Sequence, residues 1–522
     1  MQHCFDTYRT GIRFLIVILV WVNVPDKLST QPVINLHELD EYFASALNDW
    51  KVPGMAIAIV KENEVVLAKG YGVREVGESV AVDEHTQFAI ASNTKAFIAT
   101  TLAILVDEGR ITWDDRVTQH LPWFQLYDPY VTADMRIRDL LSHRSGLGTY
   151  SGDLLWYGTT YSAEEVVRRA RYLQPASVFR GKFGYSNIMF IAAGEVISAV
   201  SDQRWDDFVR QRILDKLGMN QTVTSVRNLT NAATPHIELN GDVVSHTWTP
   251  WNNSGAAGGI ISTVSDIAKW LRLQLNYGAV DGDSIFSEES SAVMWTPHIA
   301  IPLTANKKEI TPSIHFTTYG LGWNLWDYHG RQVISHGGGY DGMFSQVALV
   351  PEENLGMVIL TNSMTGIGSA LMYRIIDMYI GAPERNWSEE NLQRWKVRKE
   401  SIKEKRSKAI GEQIPNTKPS LPLGRYTGSY DDVMYGDATV TLANGTLELQ
   451  FLPNMDLHGD LRHWHYDTFS VHWRKKFAWF NEGTVQFIKD SKGEVIEMVL
   501  NVPNEDFWFH ELEFKRKVPM GN

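Results

Sequence analysis

The strongest constraint on the fold is where the β-type apolar runs sit. Near the start, "GMAIAIVKENEVVLAKGYG" (54–72) gives two apolar runs around the polar Lys61-Glu62-Asn63-Glu64, the pattern of a β-hairpin. Helical periodicity takes over from Thr94 through "AFIATTLAILVDEG", with Gly109 as its C-cap. A second helix is expected after Ser162, with Glu165 placed three residues on as in a capping box, and a similar one from Ser265. β runs return late, in "SQVALV" and "LGMVILTN". Strands, a helical middle, then strands again predict an α+β layered domain over residues 31–382.

The character of the chain changes near Ala382. Residues 383–423 hold a highly charged stretch around Lys396, read as a solvated connecting helix, and then a proline-containing linker, "IPNTKPSLPL". Short alternating segments follow over 424–522, and Asn444-Gly445 is a strong hairpin signal. This last part is expected to be a separate antiparallel β domain, a sandwich or a barrel. The length of 522 residues suits such a division.

Arg9 and Arg13 precede the apolar run Phe14 to Val22, which Pro25, Asp26 and Lys27 end. The run is short for a membrane span, so residues 1–30 read as a secretory signal peptide, with a single membrane anchor as the alternative. The only cysteine, Cys4, lies ahead of that run, and cleavage would leave a cysteine-free secreted protein. Asn-x-Ser/Thr triplets occur at Asn220, Asn228, Asn252, Asn386 and Asn444. The net charge of −12 argues against nucleic acid or an anionic membrane as a partner. Oligomeric state is not legible.

Three short segments could carry chemistry. Ser92 and Lys95 share a helix face at i, i+3, and a lysine amine lowered by burial can take a serine proton. Taken alone, the tetrad also fits an ordinary helix start. The second segment is Tyr185-Ser186-Asn187, where a tyrosine hydroxyl can relay a proton and an amide can hold a substrate carbonyl. The third is an apolar strand ending in His336, Gly337, Gly338 and Gly339, with glycines where a ligand or another backbone must come close.

In that order, Ser-x-x-Lys, Tyr-x-Asn and His-Gly-Gly resemble the serine β-lactamase and penicillin-binding-protein superfamily. The similarity is to its class C-like branch, which includes D-stereospecific peptidases and esterases. "LVDEGRITWDDRV" (105–117), "LLSHRSGL" (140–147), "GGIISTVSDIAKWL" (258–271) and "YGLGW" (319–323) extend it, over roughly residues 36–380. The resemblance implies a β-lactamase/transpeptidase-like fold: an antiparallel sheet flanked by helices, plus an all-α region. More weakly, the C-terminal domain resembles the lipocalin-like appendage of some members.

The resemblance also implies roles. Ser92 would be the acyl-enzyme nucleophile, assisted by Lys95, with Tyr185 as general base and then acid. Asn187, His336, Gly337 and Gly338 would bind substrate. The backbone N–H groups of Ser92 and Gly339 would form the oxyanion hole. No cofactor or metal is implied. His336 is at most partly charged near neutral pH and Gly337 has no hydroxyl, so the grip on a drug's carboxylate is missing. Poor β-lactam hydrolysis is therefore expected, with an ester or a short peptide, D-amino acids included, as the small-molecule substrate. The alternative is a non-catalytic secreted or extracellular-matrix protein on the same fold. A zinc site at His463, His465 and His472 is a weaker reading than stacked β residues, and His143 reads as structural.

Overall fold

The computed structural model describes residues 34–411 and 413–517; the apolar run 14–22 and Cys4 lie outside the described residues. The expected hairpin forms from strands Gly54–Lys61 and Glu64–Gly72. Glu62 and Asn63 both take positive φ (52° and 66°), as a type I′ turn requires. The two strands sit at one edge of an eight-stranded antiparallel sheet. Leu355–Thr361, Met343–Val350, Arg331–Tyr340, Asn324–Tyr328, Thr317–Tyr319 and Ile299–Ala300 follow in that order.

Strand Gly54–Lys61 shows why its sequence is a continuous apolar run. Side chains alternate along a strand, and both faces here are covered. Ala56, Ala58 and Val60 enter one core, while Met55, Ile57 and Ile59 enter the other. Helix Leu36–Asp49, capped by the Asn35 side chain, shares the second core with helix Ile367–Ile380. Helix Val264–Leu275 packs on the opposite face.

Thr94–Asp107 lies beyond that layer and is buried all round from Thr94 to Leu105, so its sequence lacks a polar stripe. Gly109 follows it at φ +67°, a left-handed exit. Two cap expectations need correction. The Ser162 hydroxyl accepts the Glu165 N–H (3.1 Å), but the Glu165 carboxylate pairs with Arg169 in place of closing the box. The cap of the helix expected from Ser265 is Thr263, which accepts the Asp266 N–H (3.1 Å).

The charged stretch forms helix Trp387–Gly411, anchored at its start. Trp387 is buried, stacks on Tyr373 (4.6 Å between ring centroids) and donates to the Asp377 carboxylate (2.6 Å). Eight antiparallel strands between Gly428 and Arg516 then close into a barrel. Asn444 and Gly445 take φ 52° and 79° in the predicted hairpin turn. Buried rings of Tyr426, Phe469 and Phe487 meet edge-to-face or tilted at 5.0–5.7 Å, filling the barrel with side chains. His463 bonds the Tyr466 carbonyl, His465 accepts from Ile414 N–H, and His472 sits between Ser470 and Glu482. The three imidazoles thus serve separate local contacts.

The barrel is packed onto the α+β half. The Tyr157 ring lies 4.4 Å from that of Phe507, Asn454 donates to the Tyr157 carbonyl (2.8 Å), and Tyr161 donates to the Tyr435 carbonyl (2.5 Å). Buried apolar residues of both halves form one continuous cluster.

Candidate active site

Ser92 lies in a single 3-10 turn, Ala91–Asn93, that leads into helix Thr94–Asp107. Ala91, a non-glycine residue, is held at φ +46°, a strained conformation immediately before the serine. The turn is fixed from the sheet side. Ser345 donates to the Ile90 carbonyl (2.7 Å), and Asn93 donates to the Ser345 hydroxyl (2.8 Å).

Lys95 is fully buried. Its amine donates to the Ser92 hydroxyl (3.0 Å), to the Asn187 side-chain oxygen (2.8 Å) and to the Ala257 carbonyl (2.7 Å). Burial pulls its pKa down to about 7, against the opposing influence of the Asp153 carboxylate. A substantial fraction of neutral amine is thus available at physiological pH, 3.0 Å from a hydroxyl.

Asn187, at the start of helix Asn187–Ser201, has its amide orientation set from both ends. Its oxygen accepts from Lys95 and its nitrogen donates to the Asp153 carboxylate (2.7 Å). Asp153 is buried, and desolvation raises its pKa to about 8. Tyr185 sits beside Lys95, with the amine 4.9 Å from the ring centroid. Burial pushes the phenol far above its ordinary range, only partly offset by the Ser92 hydroxyl. Tyr185 therefore rests as a neutral phenol. His143 packs against it at 4.1 Å and accepts the Ser186 N–H (3.0 Å), the structural part expected of it.

The glycines of strand Arg331–Tyr340 can be explained by distance. A Cβ on Gly338 would lie 2.3 Å from the Ile90 carbonyl oxygen, 2.5 Å from the Ser345 hydroxyl and 3.0 Å from the Ser92 nitrogen. A Cβ on Gly339 would lie 2.9 Å from the Trp479 indole of the barrel. Gly337 is less restricted, its nearest contact being 3.4 Å. Only a glycine at 338 lets this strand lie directly against the Ser92 turn.

His336 is more constrained than its sequence position suggests. It is buried, its Nδ1 donates to the Gly337 carbonyl (2.6 Å), and its Nε2 accepts from the Tyr319 hydroxyl (2.9 Å). Burial, reinforced by Lys95, lowers its pKa to about 3. The expectation of partial charge is corrected: His336 is neutral, with both nitrogens engaged. Tyr319 was visible only as part of "YGLGW", and nothing in that string assigns it to His336. The contributions of Ala257 and Asp153 carried no sequence signal.

Residues 39–376 match the family described as Beta-lactamase. The chain belongs to that family. It is a serine hydrolase of the β-lactamase and penicillin-binding-protein type. It is 31% identical over 432 residues to an unguisins hydrolase of Aspergillus campestris (strain IBT 28561), covering 77% of this chain and 78% of that one. It is 30% identical to penicillin-binding protein 4 of Amycolatopsis lactamdurans, over 62% of this chain and 84% of the relative. In fold, this β-lactamase-family chain is similar to the octameric penicillin-binding protein homologue from Pyrococcus abyssi. The TM-score is 0.60 at 21% identity, over 92% and 100% of the two chains. It is also similar to D-amino acid amidase from Ochrobactrum anthropi SV3 (TM-score 0.54, 23% identity, 68% and 99% covered). Residues 412–516 match a domain of unknown function, DUF3471.

Proposed function

We propose that the site hydrolyses esters or short peptide amides, including D-configured ones, through an acyl-enzyme on Ser92. The observation that carries this reading is the buried, half-neutral Lys95 amine on the Ser92 hydroxyl. Lys95 takes the serine proton as Oγ bonds the acyl carbon. The backbone N–H groups of Ser92 and Gly339 hold the developing oxyanion. Tyr185 gives its hydroxyl proton to the leaving oxygen or nitrogen as that bond breaks, and Lys95 returns a proton to Tyr185. Water then attacks the acyl-enzyme by the reverse route. The base is Lys95 and not Tyr185, because the depressed amine is neutral where the buried phenol is not ionised.

Neutral His336 supports the preference for substrates without a carboxylate at that position. The similarity to an unguisins hydrolase supports hydrolysis, and that to a D-amino acid amidase is in keeping with an amide substrate. Export through the leader 1–30 is part of the proposal, tested by sequencing the amino terminus of protein recovered from the medium. A start at Met1, or retention in the cell, would remove it.

The decisive experiment is labelling with a fluorophosphonate, alongside p-nitrophenyl esters, D-amino-acid amides and nitrocefin as substrates. The expected result is Ser92-dependent labelling and turnover of the first two classes, with nitrocefin poor. Labelling that persists in Ser92→Ala, or none in the wild type, overturns the proposal.

A further inference from the structure

The catalytic lysine is reached from the barrel by two sets of hydrogen bonds joined through the backbone from Ser151 to Asp153. Glu511, from the turn Phe509–Glu511 before the last barrel strand, extends its carboxylate into the catalytic half. One oxygen accepts from the Ser151 hydroxyl (2.5 Å), the other from the Gly152 backbone N–H (2.8 Å). The next residue is Asp153, which accepts from Asn187, which in turn accepts from Lys95. The segment 149–153 is gripped from the other side too. Tyr150 N–H donates to the Tyr185 carbonyl (2.8 Å), and Tyr185 N–H donates to the Thr149 hydroxyl (3.2 Å).

The turn has no slack of its own. Tyr150 and Gly152 both take positive φ (65° and 77°), and a Cβ on Gly152 would meet Leu173 at 2.5 Å and Ile188 at 2.7 Å. Trp508, three residues before Glu511, closes the same contact: its ring would lie 2.9 Å from a Cβ on Gly148. Without the two acceptors of Glu511, the Ser151 hydroxyl and Gly152 N–H would lose these bonds, and the turn would keep only its own backbone bonds and those to Tyr185 and Asn187.

We propose that Asp153 and Glu511 are positioning residues of the acyl-transfer site: Glu511 pins the turn that carries Asp153, and Asp153 sets the Asn187 amide that holds the Lys95 amine on Ser92. The barrel is then a working part of the proton-transfer apparatus. This inference rests on the serine-acyl reading of the preceding section. Burial raises both carboxyls, and the hydrogen bonds they accept oppose it, from Asn187 at Asp153 and from Ser151 and Gly152 at Glu511. The groups facing Lys95 are Asp153, which raises its pKa, and the Tyr185 ring, with His336 and His143 both feeling its charge. Asp153 in turn faces Asp506 and Tyr150, and Glu511 faces His510.

The test compares wild type, Ser92→Ala, Asp153→Asn, Glu511→Ala, Glu511→Gln and the Asp153→Asn/Glu511→Ala double variant. The readouts are p-nitrophenyl ester hydrolysis against pH, fluorophosphonate labelling and melting temperature. Glu511→Ala is expected to lower kcat by about ten- to a hundredfold, with KM within about threefold, since a misplacement near 1 Å has this cost. Asp153→Asn replaces two equivalent carboxyl oxygens by one, so the Asn187 amide is held less firmly and kcat falls in the same sense. Glu511→Ala costs less in the Asp153→Asn background than in wild type, because both act through Asn187. Glu511→Gln, which keeps one acceptor, recovers most of kcat. A lower melting temperature with wild-type kcat in Glu511→Ala overturns the inference, as do kcat losses that multiply in full in the double variant. Persistent activity in Ser92→Ala is a separate result, and removes the underlying serine-acyl reading.

Discussion

Adding one methyl group at Gly338 tests whether the sheet strand and the serine turn together form the reacting site. The added Cβ would sit 2.3 Å from the Ile90 carbonyl oxygen and 3.0 Å from the Ser92 nitrogen. Such a contact relaxes near ~3.4 Å, so strand and turn must separate by about 1 Å. Gly338 is not at positive φ, so Gly338→Ala costs space and no backbone strain. The separation moves the Gly339 N–H away from the oxyanion position, and loss of such a donor costs about a hundredfold or more in kcat, near 3 kcal/mol. Gly337→Ala is the internal control, because its nearest contact is an ordinary 3.4 Å. The assay is kcat and KM on a p-nitrophenyl ester, with melting curves to confirm folding. Gly338→Ala is expected to lose kcat about a hundredfold with little change in KM, and Gly337→Ala to stay within about threefold. A folded Gly338→Ala with wild-type kcat, or equal losses at both positions, would refute the reasoning.

The rate kcat/KM of the wild type should fall as pH drops through about 7, because protonation of Lys95 removes the base; a flat profile from pH 5 to 8 would count against it. Lys95→Met should abolish turnover while changing stability in a pH-dependent way. The amine pKa drop from 10.5 to about 7 corresponds to about 5 kcal/mol of burial cost. That cost is fully present below pH 7 and disappears towards 10.5, because over this interval the unfolded chain binds the proton and the folded one does not. The unfolding free energy of the variant relative to wild type should therefore fall between pH 6.5 and 9.5 in denaturant titrations. Asp139→Ala should lower stability by about 3–5 kcal/mol, since this fully buried carboxylate holds both Arg144 (2.6 Å) and Arg180 (2.6 Å). A melting temperature unchanged in that variant would show the ion pairs to be dispensable.

What could be read from the chain follows from how local each signal is. The hairpin at 54–72 and the Asn444-Gly445 turn depend on a few consecutive residues, and both form as expected. The Ser92, Lys95, Tyr185 and Asn187 cluster was legible because short spacings carry it. The neutrality of His336 was not, because it depends on Tyr319 and on burial, neither encoded beside the histidine. The same holds for the raised Tyr185 phenol and the lowered Lys95 amine, both shifted chiefly by burial. Asp153 and Glu511 are ordinary acidic residues in sequence, and only the fold places them in one line. The shift of a helix cap from Ser265 to Thr263 reflects two hydroxyl residues two positions apart, either of which fits the pattern.

The contact between Ser151 and Glu511 joins residues 360 positions apart. During synthesis the serine, lysine, tyrosine and asparagine emerge long before the carboxylate that braces their turn. A nascent chain can thus carry every reactive group and still lack the brace until nearly its last strand is made. On the bracing proposed above, a chain cut short inside the barrel lacks the carboxylate that pins the turn beside its serine and lysine.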